Sequence, residues 1–208
     1  MLTPEVALSF FGIAVLLALT PGPDNLFVLM QSALWGRGSG MMVVLGLCTG
    51  LIGHTVAVTI GLAAIFATSA TAFTILKLVG AAYLAYLAWG AFHAHAAVAS
   101  NAKPQKRSKG QLYRRGIVMN LTNPKVSLFF LAFLPQFTSP DRGPVALQIL
   151  SLGALFIVST LIVFGAIAFF SGALGERMQR SQKAQRLLNR TAGAVFLGLA
   201  IKLAFVNR

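Results

Sequence analysis

Apolar residues in this chain do not alternate with polar ones; they come in blocks. Six blocks stand out, at about 6–35, 41–66, 72–92, 116–137, 145–170 and 191–206. A helix rises about 1.5 Å per residue and a hydrocarbon core is about 30 Å thick, so some 20 apolar residues cross it. The pattern therefore predicts an all-α integral membrane protein with six transmembrane helices, the sixth short unless Leu187 and Leu188 extend it. Two blocks are interrupted, the first by "LTPGPDN" at 19–25 and the fourth by "NLTNPK" at 120–125. Proline has no N–H, so Pro21, Pro23 and Pro124 would leave the carbonyls of Leu17, Leu19 and Asn120 without helical partners, and Gly22 weakens the helix further. Free backbone groups are tolerated in a membrane only where protein buries them or a wet cavity meets them. Spans 1 and 4 are thus expected to be broken, with a cavity at the breaks. At roughly 18 Å and 12 Å from the same membrane face, the two breaks lie at depths that let them meet.

The pattern also repeats. "LTPGP" at 19–23 matches "LTNPK" at 121–125, "LGLC" at 45 matches "LSLG" at 150, and "KLVGAAYLA" at 77–85 matches "RTAGAVFLG" at 190–198, in the same order. A repeat of three spans is odd in number, so the second copy enters the membrane from the opposite face, which is the inverted repeat of many secondary transporters. The chain then reads as one transporter domain over 1–208. Repeat one covers about 1–95, a cytoplasmic linker rich in Ala, Ser, Lys and Pro about 96–111, and repeat two about 112–208. "GALGERMQRSQKAQRLLNR" at 172–190 reads as a short cationic helix on the membrane surface ahead of span 6.

Composition agrees: 57% of the 208 residues are hydrophobic and 10% charged. The net charge of +13 would point to nucleic acid in a soluble protein, but its distribution points to topology instead. The loops after spans 1, 3 and 5 carry Arg37, then Lys103 to Arg115, then Arg177 to Arg190, whereas the other face holds Lys77, Arg142, Lys202 and Arg208. The positive-inside rule makes the cation-rich loops cytoplasmic and puts both termini on the outer side of the plasma membrane. The first block has no basic leader and is too long for a cleaved signal, so it is expected to stay as a helix. Cys48 is the only cysteine, so no intrachain disulfide forms.

Few groups inside the apolar blocks can do chemistry. Asp24 is the one acidic residue well inside a block, Lys125 the one deep cation and His54 the one intramembrane histidine. Buried ionisable groups are costly and mark function by default. An amino acid, with its carboxylate and ammonium, complements a broken helix, which offers amides at one half-helix start and carbonyls at the other half-helix end. The expected substrate site is therefore Pro21, Gly22, Pro23, Asp24 and Asn25 with Asn120, Asn123, Pro124 and Lys125. Asp24 is the candidate proton carrier, or alternatively pairs with Lys125 and ties the repeats together. His54 lines the pathway or packs. Gly46, Gly50 and Gly53 are spaced for close helix contact. Trp35, Trp89, Tyr83, Tyr86 and Tyr113 read as interface anchors or packing, His93 and His95 as exposed residues, and "GRGSG" after Trp35 as a turn.

With these residues in view, the chain resembles the LysE/RhtB family of bacterial amino-acid exporters. The likeness rests on Pro21-Gly22-Pro23-Asp24-Asn25, on Asn120-Leu121-Thr122-Asn123-Pro124-Lys125 followed by "FLAFLPQF", and on "VGAAYLAYLAWGAF" in span 3, and it covers nearly the whole chain. The resemblance implies a six-helix inner-membrane protein that expels amino acids such as homoserine, threonine, leucine or lysine, driven by the proton motive force. It further implies that the motifs of spans 1 and 4 form the transport core.

Three other classes fit the sequence less well. An enzyme would need a nucleophile with its base or clustered metal ligands, and neither HExxH nor GxSxG occurs. An exporter of metal cations or another small metabolite on the same fold would want more ligands at matched depth than one Asp, one Cys and one His. A purely structural subunit leaves the paired breaks unexplained. The sequence therefore reads as a secondary transporter that exports amino acids by proton antiport. It calls for no cofactor, no resident metal and no nucleic acid; its partners are substrate, protons and the bilayer, and its Gly-rich faces are compatible with a homodimer.

Overall fold

In the computed structural model, residues 2–20, 22–68, 70–93 and 107–180 are described, together with 186, 187, 190, 191, 193, 194, 197, 198, 200 and 201. Pro21, His95, most of the linker and the end of the sixth block lie outside these residues. The described chain is helical: α1 Pro4–Leu19, α2 Pro23–Trp35, α3 Arg37–Thr68, α4 Ala70–His93, α5 Lys109–Leu121, α6 Pro124–Leu128 and α7 Val145–Arg180. A π turn at Phe129–Phe133 and a 3-10 turn at Leu134–Phe137 prolong α6. Pro135 explains the widening, because it can make no helical N–H bond and its ring crowds the carbonyl four residues back. Consistent with this, the Leu134 N–H reaches back five residues to Phe129 O.

Both expected breaks are present. α1 and α2 meet at 64°, and α5 meets the Pro124–Phe137 segment at 49°. Each second half begins with proline at its first turn, Pro23 or Pro124, where a missing N–H costs nothing because that amide has no helical partner anyway. The helix ends Leu19 and Leu121 are 102 apart in sequence and the prolines 101 apart, so the two breaks correspond with a one-residue difference in the connecting turn. Arg37–Gly61 and Val145–Ser171 are each long and apolar enough to cross a membrane, and each bent pair passes the same test as one broken span. The chain is a multi-pass membrane protein. One expectation is corrected: α7 runs unbroken to Arg180 through "GALGERMQR", so the short surface helix expected from 172 begins instead as an extension of the span.

The outward surface is greasy. Leu8, Ile52, Ile60, Val158, Ile162 and Phe170 are exposed, as lipid contact requires. Packing inside relies on small residues, because apolar burial drives little between helices in lipid. α3 and α5 touch backbone to backbone at Gly46 and Gly116: a Cβ on Gly46 would fall on Tyr113 O, and one on Gly116 would fall on Val43 O. One turn on, Gly50 leaves room for the Asn120 side chain. This glycine face is occupied by α5 and is not available to a second copy of the chain. The Thr49 and Tyr113 hydroxyls share a hydrogen bond of 2.8 Å across the same contact.

Two apolar clusters flank the breaks. One is aromatic: Phe10 of α1, Phe129, Phe130, Phe133 and Phe137 beyond α6, and Phe156 of α7, with neighbouring ring centres 5.0–6.4 Å apart. The other is aliphatic, with Val28, Val43, Val44, Leu47, Cys48, Val163 and Phe164 at the α2–α3–α7 contact. Gln148 closes the turn before α7, its amide bonding both ways with Ser139 and donating to Gly143 O.

Candidate functional site

The breaks meet. Asn123 is the N-cap of α6, its Oδ1 accepting the Lys125 N–H at 3.0 Å. Its Nδ2 crosses to the other break and donates to Asp24 Oδ2 at 2.7 Å. Asp24 is 4% exposed and Asn123 6% exposed, so this bond is shielded from water and holds a carboxylate at its strongest. α2 has no such cap of its own: Gly22 is extended and offers no side chain, which leaves the first amides of α2, with the positive end of its dipole, beside Asp24.

Lys125 projects the opposite way. Its Nζ donates to Leu17 O at 3.2 Å and Thr20 O at 3.3 Å, capping the carbonyl end of α1. Gly22 lies against both groups: a Cβ there would sit 3.5 Å from the ammonium and 3.7 Å from Asn25 Oδ1, in ordinary van der Waals contact. Asn25 Nδ2 takes the neighbouring carbonyl, Ala18 O, at 2.8 Å. At the second break the Asn120 carbonyl accepts the Asn123 N–H at 3.1 Å and faces His54 Nε2 at 3.2 Å, which requires the Nε2–H form of the imidazole. The His54 ring also lies 5.5 Å from that of Phe130.

Asp24, Asn25, Asn120, Asn123, Lys125, Gly22, Pro23 and Pro124 therefore share one locus, with His54 at its α3 edge; Pro21 lies outside the described residues. Two details differ from the sequence reading. Asp24 and Lys125 form no direct ion pair, because Asn123 takes the carboxylate and α1 takes the ammonium. The carbonyls of Leu17 and Asn120, expected to await a substrate ammonium, already have protein donors. Thr20 is the residue sequence reasoning passed over: it sits inside the "LTPGP" motif, and its carbonyl shares Lys125.

Several buried oxygens at this locus and further along α2 lack a hydrogen-bond partner. Asp24 Oδ1, Asn25 Oδ1 and Asn120 Oδ1 are buried with no partner, as are Gln31 Oε1 and Ser32 Oγ lower on α2. Such atoms are expensive in a dry interior. Lys125, by contrast, has a third N–H beyond the two that bind α1. The locus thus combines acceptors lacking donors with one cationic donor to spare. Among the described residues no three His, Cys, Asp or Glu side chains gather at metal-binding distance.

Comparison with known proteins places the chain. The chain is 33% identical over 201 residues to an uncharacterized membrane protein of Vibrio cholerae, spanning 96% of this chain and 97% of that one. It is 34% identical over 191 residues to the homoserine/homoserine lactone efflux protein of Salmonella typhimurium, 92% of each chain being covered. The protein of the same name from Salmonella typhi matches to the same extent. No solved structure matches. The model of the LysE type translocator family matches residues 15–206, and the chain belongs to that family.

Proposed function

We propose that this protein exports homoserine-like amino acids from the cytoplasm by proton antiport, through six spans arranged as two inverted three-helix repeats with both termini outside. One observation carries the reading: Asp24 Oδ1 and Asn25 Oδ1 are buried without donors next to a lysine with an uncommitted N–H. A substrate ammonium supplies donors to Asp24 and Asn25. A substrate carboxylate takes the third N–H of Lys125 and, beside it, the uncapped amides that begin α2. Asp24 thus keeps its expected part in receiving the ammonium, while the carbonyls of Leu17 and Asn120, which have protein donors, do not share it. The homoserine efflux relatives support the substrate class.

Antiport follows from competition for one atom. Asp24 Oδ2 is engaged by Asn123, so Oδ1 is the oxygen left for either a proton or the ammonium. Binding of one expels the other, and a carrier that returns protonated moves a proton inward for each substrate moved out. Asn123 and Lys125 hold the carboxylate and ammonium apart, so neither cancels the other in the empty site.

The test is efflux. Cells loaded with a panel of dipeptides release free amino acids, quantified by mass spectrometry with and without the protein. Selective acceleration of homoserine or threonine, abolished by a protonophore, is the expected result. No acceleration of any amino acid, with the protein verified in the membrane, overturns the substrate class.

A further inference from the structure

Beyond the breaks the two half-helices diverge. The continuation of α6 buries Phe129, Phe130, Phe133 and Phe137, and no buried polar side-chain atom there lacks a partner among the described residues. The buried face of α2 carries Asp24, Val28, Gln31 and Ser32. Gln31 is 1% exposed and Ser32 4%, yet Gln31 Oε1 and Ser32 Oγ have no hydrogen-bond partner. Seven residues of helix place Gln31 about 10 Å from Asp24 on the same face, toward the end next to Arg37. Between them Val28, fully buried among Val43, Val44 and Phe164, forms one apolar layer.

Ser32 lies at a three-helix junction. Gly40 of α3 makes room for it: a Cβ there would fall on Ser32 Oγ and lie 3.2 Å from Ala168 Cβ of α7. A buried amide oxygen and a buried hydroxyl, Gln31 Oε1 and Ser32 Oγ, left without partners within a membrane protein are a poor permanent arrangement. They are a good one if this contact opens and water satisfies them for part of the cycle.

We propose that the α2–α3–α7 junction at Gln31 and Ser32 is the cytoplasmic gate, closed in this structure, through which substrate and water reach Asp24. Val28 is the single apolar layer the opening must part, and Gly40 allows the junction to close. The aromatic cluster beyond α6 seals the opposite side. The assignment rests on the exporter reading for its direction and on the cation-rich loops for its side.

The test is thiol accessibility in a Cys48→Ala background, with Gly38→Cys, exposed in the first turn of α3, as the reference that reports vesicle orientation. Ser32→Cys and, independently, Gln31→Cys are treated with a membrane-impermeant methanethiosulfonate reagent in intact cells and in inverted membrane vesicles. Labelling of either position in inverted vesicles, with none in intact cells, is the expected result. Labelling from the outside places the gate on the wrong side. Labelling of neither above the cysteine-free protein, while Gly38→Cys reacts, means the junction stays shut and overturns the proposal. The readout needs no substrate: a gate that labels in a protein exporting no amino acid keeps the gate and removes the amino-acid reading.

Discussion

The two breaks share a form and differ in what they lack. The α5–α6 break is capped mostly from within, Asn123 closing α6 and its N–H reaching the Asn120 carbonyl, with His54 of α3 as an outside contact to that carbonyl. The α1–α2 break depends on the other half of the chain: Lys125 closes its carbonyl end, Asn123 holds its aspartate, and Asp24 and Asn25 still have unpartnered oxygens. On the proposed function, one break serves as the support and the other as the substrate seat. Unmet acceptors among the described residues are more numerous at the α1–α2 break, Asp24 Oδ1 and Asn25 Oδ1 against Asn120 Oδ1 alone at the other, and unmet capacity is what a ligand can satisfy.

That comparison can be pressed hardest at Asp24. Asp24→Asn keeps the shape and removes the charge, and a lost charge-assisted hydrogen bond of about 1.5–3 kcal/mol, together with the proton, should lower homoserine efflux by roughly a hundredfold. The residual flux should no longer respond to an imposed pH gradient, while detergent stability stays near that of the parent. A mutant that kept its gradient response would make the aspartate structural.

Asn123→Ala should cost less in transport and more in stability, because it strips the α6 cap, worth about 1 kcal/mol, along with the partner of Asp24. Efflux about tenfold down with a lowered melting temperature is the expected signature of the supporting copy. Equal stability in Asn123→Ala and Asp24→Asn would erase the distinction between the breaks.

Lys125→Met separates the two ends of the substrate. Homoserine lactone keeps the ammonium but has no carboxylate, so the preference for homoserine over its lactone should fall by about tenfold, the worth of one charge-assisted bond. Competition assays read this ratio even if the loss of the α1 cap lowers both rates. An unchanged ratio would remove Lys125 from the carboxylate.

Away from the breaks the effects should be smaller and purely structural. Gly116→Ala drives a methyl onto Val43 O, and overpacking of about 1–3 kcal/mol should lower the melting temperature without altering substrate preference. Gln148→Leu, which releases the turn at Ser139 and Gly143, should cost about 1 kcal/mol and leave transport rates alone.

Much of this was legible in the sequence. Runs of apolar residues and prolines act locally, so the all-helical character, both breaks, the glycine contact of α3 and the convergence of Asp24, Asn123 and Lys125 could be read from it. What escaped was the choice of partner. Asp24 and Lys125 invite pairing by charge, but only the three-dimensional approach of α6 puts Asn123 on the carboxylate and swings the lysine to Leu17 and Thr20. Gln31 and Ser32 escaped for a different reason: near the end of a span, polar residues look like ordinary interface residues until the packing of α3 and α7 buries them. The π turn at Phe129 escaped because its cause, Pro135, acts backwards along the chain.

The facing glycines of α3 and α5 also have an evolutionary consequence. Each would-be methyl meets main chain rather than a neighbouring side chain, so no compensating substitution nearby can make room for it. Most crowded positions in a core can drift in correlated pairs, large for small; Gly46 and Gly116 have no such route. A mutational scan that tolerates wide change over the lipid-facing residues of these helices should find these two positions nearly monomorphic, whatever the cargo under selection.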